Sequence, residues 1–359
     1  MRIAYLAHFR GGAETGIFRK IAGQANEWDR LGATVGLFAT TDAAAAADWR
    51  ALPAAASVRT ATHSPVSLLV ERERLAGDVL SWRPDLVYAR HTLFYPGLLR
   101  IERAVPLVFE INSNDLTEFA SVSPRRYWYA RLTRGFPLSR AAGFVFVTRE
   151  LAQAGVFTRY GRPSAVIANG IRLDDVPELQ APANSDPRLV FMGHPHSPWH
   201  GLGELEDLVR AFPGWRLDVV GPAPDEFRAP PANLTAHGVL GPAAYRPIVA
   251  AADVAVGTLG LHRQHMHEAS PIKLREYLAS GLPAIIGYED TDFPGGAPFL
   301  LQIPNSADGV RRSTAQIEAF VRSWMGRRVP RAAIRHLDVG EKERTRLAFF
   351  EQVLSGVRA

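Results

Sequence analysis

The strongest constraint on what this chain can fold into is a rhythm. Short apolar runs, each the length of one buried strand, alternate with longer stretches of helical period, and the series occurs twice. Residues 3–9 read as a buried strand, followed by the loop 10–16 and a helix pattern over 17–31 that Gly32 ends. Further strands are expected at 34–39, 85–89, 107–111, 143–148 and 165–168, with a helix at 68–82 and another at the alanine run 43–47. Strands separated by helices of this length predict a parallel sheet covered on both faces.

The segment 173–187 is rich in Asp, Pro and Ala and lacks period, so it reads as a linker. The rhythm then restarts. Strands are expected at 188–192, 216–220, 234–237, 254–258 and 283–287, and helices at 202–211, 245–251 and 271–279. The fold class expected is α/β, with two Rossmann-like domains facing across a cleft and a ligand at the carboxyl ends of the strands. The N-terminal domain is expected over 1–172 and the C-terminal one over 173–341, with a last helix near 342–359 that could pack on either. A chain of 359 residues suits two domains of roughly 150–200 each.

Composition narrows the function classes. The net charge of +5 is mild and scattered, which suits an anionic ligand better than nucleic acid. The absence of cysteine excludes disulfides, thiolate catalysis and Cys-ligated zinc. No segment reaches the roughly 18 apolar residues of a membrane span. The sequence runs straight from Met1 into a strand with no room for a signal peptide, so a cytoplasmic location is expected. The basic, aromatic stretch 125–134 reads in two ways. It is either a surface helix with arginine stems packed on aromatics, or a peripheral contact with the inner face of an anionic membrane.

The most informative stretch runs from Glu268 to Pro283, EASPIKLREYLASGLP. Ser270 is a good N-cap and Pro271 a good first helical residue, so a helix is expected to start there. A capping box would put Glu or Gln where Lys273 stands. A lysine at that point opposes the helix dipole, but together with the open backbone amides it suits a bound anion such as a diphosphate. Glu268 precedes the helix and Glu276 lies further along it. Two carboxylates flanking an anion site suit a ligand with hydroxyls on both sides of a diphosphate, which describes a nucleotide-sugar. The bland alternative is a set of ordinary surface charges on an amphipathic helix.

Glu268 and Glu276 have seven residues between them, and the whole segment resembles the E-x7-E motif of the retaining glycosyltransferases of family 4, which have the GT-B fold. That resemblance implies roles. Glu268 would contact hydroxyls of the donor sugar, Lys273 and the backbone of Ser270, Pro271 and Ile272 the diphosphate, and Glu276 the ribose. It also implies that the glycine-rich loop Gly11, Gly12 and Gly16 approaches the donor. Relatives carry basic residues near His194 and His200, where this chain has histidines; His200 is the better candidate for a diphosphate contact. Val239, in the run Gly238-Val239-Leu240, matches the place where the base is held through backbone groups. Relatives also carry a histidine near the end of the 107–111 strand, where Glu110 and Asn112 stand here. Asn112 is expected to touch sugar or acceptor, with Arg90, His91 and Glu110 on the acceptor side.

Two other patterns are discounted. His262, His265 and His267 beside Glu268 lack supporting ligands for a metal, and Asp290-Thr291-Asp292 lies in a loop foreign to the metal-binding fold it imitates. The expectation is therefore a hexosyltransferase that needs no cofactor or metal. It would take a UDP- or GDP-sugar and attack an unidentified hydroxyl acceptor by front-face substitution with retention. A nucleotide-sugar 2-epimerase of the same fold and a catalytically silent partner protein are the rivals.

Overall fold

The computed structural model describes residues 1–358, which divide into two compact units. The first comprises residues 1–168 and 339–358; the second is residues 169–338. The segment 173–187 thus lies wholly inside the second unit, and Leu173 is buried in that unit's core.

The first unit is built on seven strands: β1 (Arg2–His8), β2 (Thr34–Thr41), β3 (Ala55–Thr60), β4 (Leu86–Arg90), β5 (Leu107–Ile111), β6 (Gly143–Phe146) and β7 (Ser164–Val166). Their order is β3-β2-β1-β4-β5-β6-β7, and every pairing is parallel. β1 is buried from Ile3 to Ala7 because helices cover both faces of the sheet. The helix Gly16–Arg30 starts where the Thr15 hydroxyl accepts the Phe18 amide, and it buries Ile21, Ala25 and Trp28 at helical spacing. Trp28 meets Phe350 of the C-terminal helix Val339–Arg358, ring centres 5.6 Å apart, so that helix completes the core of the first unit.

The second unit contains β8 (Arg188–Met192), β9 (Arg216–Val220), β10 (Leu234–Ala236), β11 (Val254–Val256), β12 (Glu268–Ala269), β13 (Ala284–Ile286), β14 (Glu289–Asp290) and β15 (Leu300–Gln302). Six of them form a parallel sheet ordered β10-β9-β8-β11-β13-β15, while β12 and β14 pair separately. Both large sheets therefore reverse strand order beside their first strand, at β1/β4 and β8/β11. Loops leaving the carboxyl ends of those strands form the crevice where such sheets hold ligands. The α/β class with two Rossmann-like halves, expected from the rhythm, is the observed fold.

Three local expectations are corrected. The short strand β3 was hidden, because none of its residues is fully buried and its apolar run is brief. The alanine run is a turn leading into the helix Ala46–Arg50, since Asp42 caps the preceding turn through the Ala45 amide. The helix expected from Pro271 spans Ile272–Ala279, for the reason given below.

Candidate functional site

β8 delivers the chain into the loop that carries His194 and His200. The loop turns tightly against the neighbouring strands. A Cβ on Gly193 would lie 2.7 Å from the His200 ring and 2.6 Å from the Phe191 ring, so only glycine admits the imidazole. A Cβ on Gly221, at the end of β9 with φ of +106°, would lie 1.7 Å from the Gly193 carbonyl.

His200 is buried, and its Nε2 accepts the His194 backbone N–H at 2.9 Å. Its Nδ1 faces Lys273 Nζ at 3.4 Å, and that Nζ sits 4.1 Å above the Phe191 ring. Burial above all holds His200 far below the usual histidine pKa, so the ring is neutral. Burial also pushes the Lys273 amine down to about 7. The neutral ring has its Nε2 engaged by the His194 amide, which leaves Nδ1, facing Lys273, as the nitrogen able to donate. His194 is exposed, and its Nδ1 donates to the Pro195 carbonyl at 2.8 Å.

Lys273 stands in the first turn of the helix Ile272–Ala279. Ser270 does not cap this helix. Its hydroxyl accepts the Asn169 amide at 2.8 Å and Arg275 Nη2 at 2.9 Å, and its carbonyl accepts the Asn169 side-chain amide. Pro271 has no N–H to offer. The donors the helix start can present are therefore the Ile272 and Lys273 amides, which helix geometry leaves without an intrahelical acceptor. Of the three positions expected to offer backbone contacts, Pro271 has no N–H, while Ile272 presents a helical amide.

Arg275 was missed by the sequence reading. Fully buried, it donates to the Asn169 carbonyl at 2.9 Å, to both oxygens of Asp290 at 2.8 and 3.0 Å, and to Asp292 at 2.9 Å. The Asp290-Thr291-Asp292 pattern that imitates a metal pair is thus a clamp on one guanidinium. An arginine two residues after Lys273 and an Asp-x-Asp in the following loop were the available signal. Glu268 is buried on β12, which pairs with β14 in the register Glu268↔Glu289. Glu276 is partly exposed on the helix, one turn beyond Lys273. Val239 is exposed in the loop after β10, where the Gly238 carbonyl is taken by the Gly221 amide at 2.7 Å.

The residues expected from the first half gather at the carboxyl ends of β4 and β5. Glu110 is fully buried and paired with Lys20 at 2.7 Å and Arg90 at 3.4 Å. Burial alone would raise its pKa, but Lys20, Arg90 and Arg346 outweigh that and hold the carboxyl well below the usual range. Asn112 bridges the same group, donating to Glu110 at 3.1 Å and accepting from Lys20 at 3.1 Å. Glu110 therefore serves as the hub that orders Lys20, Arg90 and Asn112, and its own oxygens do not reach the surface. Burial lowers the His91 pKa, and its backbone N–H donates to the Glu110 carbonyl at 3.0 Å.

In the glycine-rich loop the Gly12 amide donates to Glu14 at 2.9 Å and the Ala13 amide to Asp48 at 2.8 Å. Gly11 gives its carbonyl to Trp49 Nε1, and Gly16 opens the helix Gly16–Arg30. Side-chain carboxylates thus occupy the Gly12 and Ala13 amides.

Comparison with known proteins bears on the fold and the family. Solved structures of the same fold cover nearly the whole chain. A glycosyltransferase from Rickettsia africae is 13% identical, with a TM-score of 0.65 over 98% of this chain and 99% of that one. HepE from Anabaena, solved with UDP-glucose, is 16% identical, with a TM-score of 0.61 over 99% of both. The UDP-GlcNAc 2-epimerase from Neisseria meningitidis, bound to UDP-GlcNAc, is 12% identical, with a TM-score of 0.57 over 98% of this chain and 100% of that one. No curated protein matches significantly. These likenesses establish the two Rossmann-like halves of the GT-B fold. Residues 11–175 match the model of Glycosyltransferase Family 4.

Proposed function

We propose that the chain is a retaining glycosyltransferase that moves a sugar from a nucleotide-diphosphate sugar, a UDP- or GDP-sugar, to an acceptor hydroxyl. The observation that carries this reading is Lys273. It is a partly buried amine in the first turn of a helix, held against β8 and the loop that follows it at the strand-order reversal of the second sheet, with a neutral imidazole and an aromatic ring as its neighbours. A diphosphate set there would meet the amine and the Ile272 and Lys273 amides together. Glu268 would then reach the sugar and Glu276 the ribose. Structural likeness to proteins solved with UDP-glucose and UDP-GlcNAc supports a nucleotide-sugar ligand in this fold.

The mechanism that fits is front-face substitution. The leaving diphosphate, stabilised by Lys273 and the helix amides, takes the proton of the attacking hydroxyl, so the protein's work is positioning and electrostatic stabilisation. This route assigns charge neutralisation to protein groups rather than to a metal. Arg90, Lys20 and Asn112, ordered by Glu110, face the acceptor. The exposed Trp128, Tyr129 and Leu132 of the helix Pro124–Thr133, flanked by Arg125, Arg126 and Arg131, would rest on an anionic membrane surface at the cytoplasmic face.

The test is a thermal-shift screen of UDP, GDP and their sugars, followed by product analysis with and without acceptor. A ligand held by the native fold raises its melting temperature. Transfer with retained anomeric configuration is expected. A 2-epimerised nucleotide-sugar formed without acceptor would make the chain an isomerase, and no shift with any nucleotide would remove the site.

A further inference from the structure

The contacts around Lys273 fix its proton as well as its place. The His194 amide donates to Nε2 of His200 at 2.9 Å, so Nε2 carries a lone pair and the proton of the neutral ring resides on Nδ1. Nδ1–H then points at Lys273 Nζ, 3.4 Å away. An ammonium has no acceptor to offer that proton; an amine does. Reversing the ring would put a carbon against the His194 amide. The titratable group in contact with the amine is His200, at the end of the β8 loop, with His194 beside that ring; Glu268 and Glu276 stand five residues before and three after Lys273 in the chain.

We propose that His200 is a positioning residue that holds Lys273 as a neutral amine in the empty site, so that binding of a nucleoside diphosphate takes one proton from solvent onto Nζ. The inference rests on the donor-site reading given above. On binding, the Nδ1–H···Nζ hydrogen bond breaks, the Nζ lone pair takes the proton, and the new ammonium donates to phosphate oxygen. The burial that lowers the amine's pKa agrees with this arrangement. Affinity should then be flat between pH ~6, where the phosphate is ionised, and pH ~7, and fall about tenfold for each unit above that, until the pKa of the bound ammonium is reached.

Isothermal titration of the full chain with UDP and GDP at a pH near 8, in two buffers of different ionisation enthalpy, reads the stoichiometry directly. Free nucleoside diphosphate is fully ionised there, its last phosphate pKa lying near ~6. Uptake of about one proton is expected for the natural chain. Lys273→Arg, whose side chain keeps its charge, should bind with uptake near zero. Nitrogen NMR of the histidines should show His200 with a protonated Nδ1 and a bare Nε2, a signature that a merely structural ring would not need. Tight binding without proton uptake would overturn the proposal and leave the donor site standing. A protonated Nε2 on His200 would overturn it too. Failure of both nucleotides to bind would remove the site, and this inference with it.

Discussion

Asp290 accepts two hydrogen bonds from Arg275, at 2.8 Å from Nη1 and 3.0 Å from Nη2, with both side chains fully buried. The same guanidinium reaches Asp292, Ser270 and the Asn169 carbonyl. It therefore ties the strand-like Glu268–Ala269 segment, the β14 loop and the start of the second unit to one point, directly behind the helix that presents Lys273.

Arg275→Met removes that point and leaves Asp290 charged and buried. Breaking such a pair costs about 3–5 kcal/mol. With a slope of roughly 2–4 °C per kcal/mol for a unit of this size, the melting temperature should drop by about 10 °C. Calorimetry of the variant decides it; a change below about 2 °C would mean the clamp is not holding the loop.

Lys273 gives a pH-dependent stability with a definite sign. Its folded pKa of about 7 lies below the unfolded value near ~10.4, so between these limits the unfolded chain binds the extra proton. The group's penalty is full below the folded pKa and disappears as pH rises through the window. Lys273→Met should therefore melt higher than the natural chain at pH 6, and the gap should close by about pH 10. A gap independent of pH would show that the lysine keeps its proton in the empty site.

Glu268→Ala and Lys273→Ala should each lower sugar transfer by at least about a hundredfold, equivalent to ~2.7 kcal/mol of transition-state stabilisation, without unfolding the protein. Initial rates alongside circular dichroism separate the two effects. Near-normal turnover in both variants would refute the site assignment.

Glu110→Gln should cost stability at neutral pH, because Lys20 and Arg90 lose the charge that justifies their burial. The folded pKa of Glu110 lies below its unfolded value, so its stabilisation is present above the unfolded value near ~4.3 and is lost as pH falls through the acid range. Acid unfolding of the variant should accordingly be shallower than that of the natural chain. Equal slopes would contradict the hub role.

Trp128→Glu and Leu132→Glu change exposed residues, so the melting temperature should stay within the scatter of a surface substitution, about 0.5 kcal/mol. Sedimentation with vesicles containing phosphatidylserine should fall several-fold. Unchanged sedimentation would return the helix Pro124–Thr133 to a plain solvated surface.

Much of the fold was legible in the sequence because buried parallel strands write themselves as unbroken apolar runs, as in 107–111 and 188–192, where expected and observed bounds coincide. Helices such as Leu202–Ala211 were legible for the same reason, through period alone. The glutamate spacing and the lysine between them were legible as chemistry. What only the tertiary structure decided is which groups are already taken. Nothing local says that Ser270 answers to Asn169, 101 residues away, instead of capping its own helix. Nor does it say that Glu110 is spent on Lys20, 90 positions earlier, or that a backbone amide fixes the tautomer of His200. Hydrogen bonds and charges are satisfied by whatever the fold brings within about 3 Å, and sequence distance has no part in that.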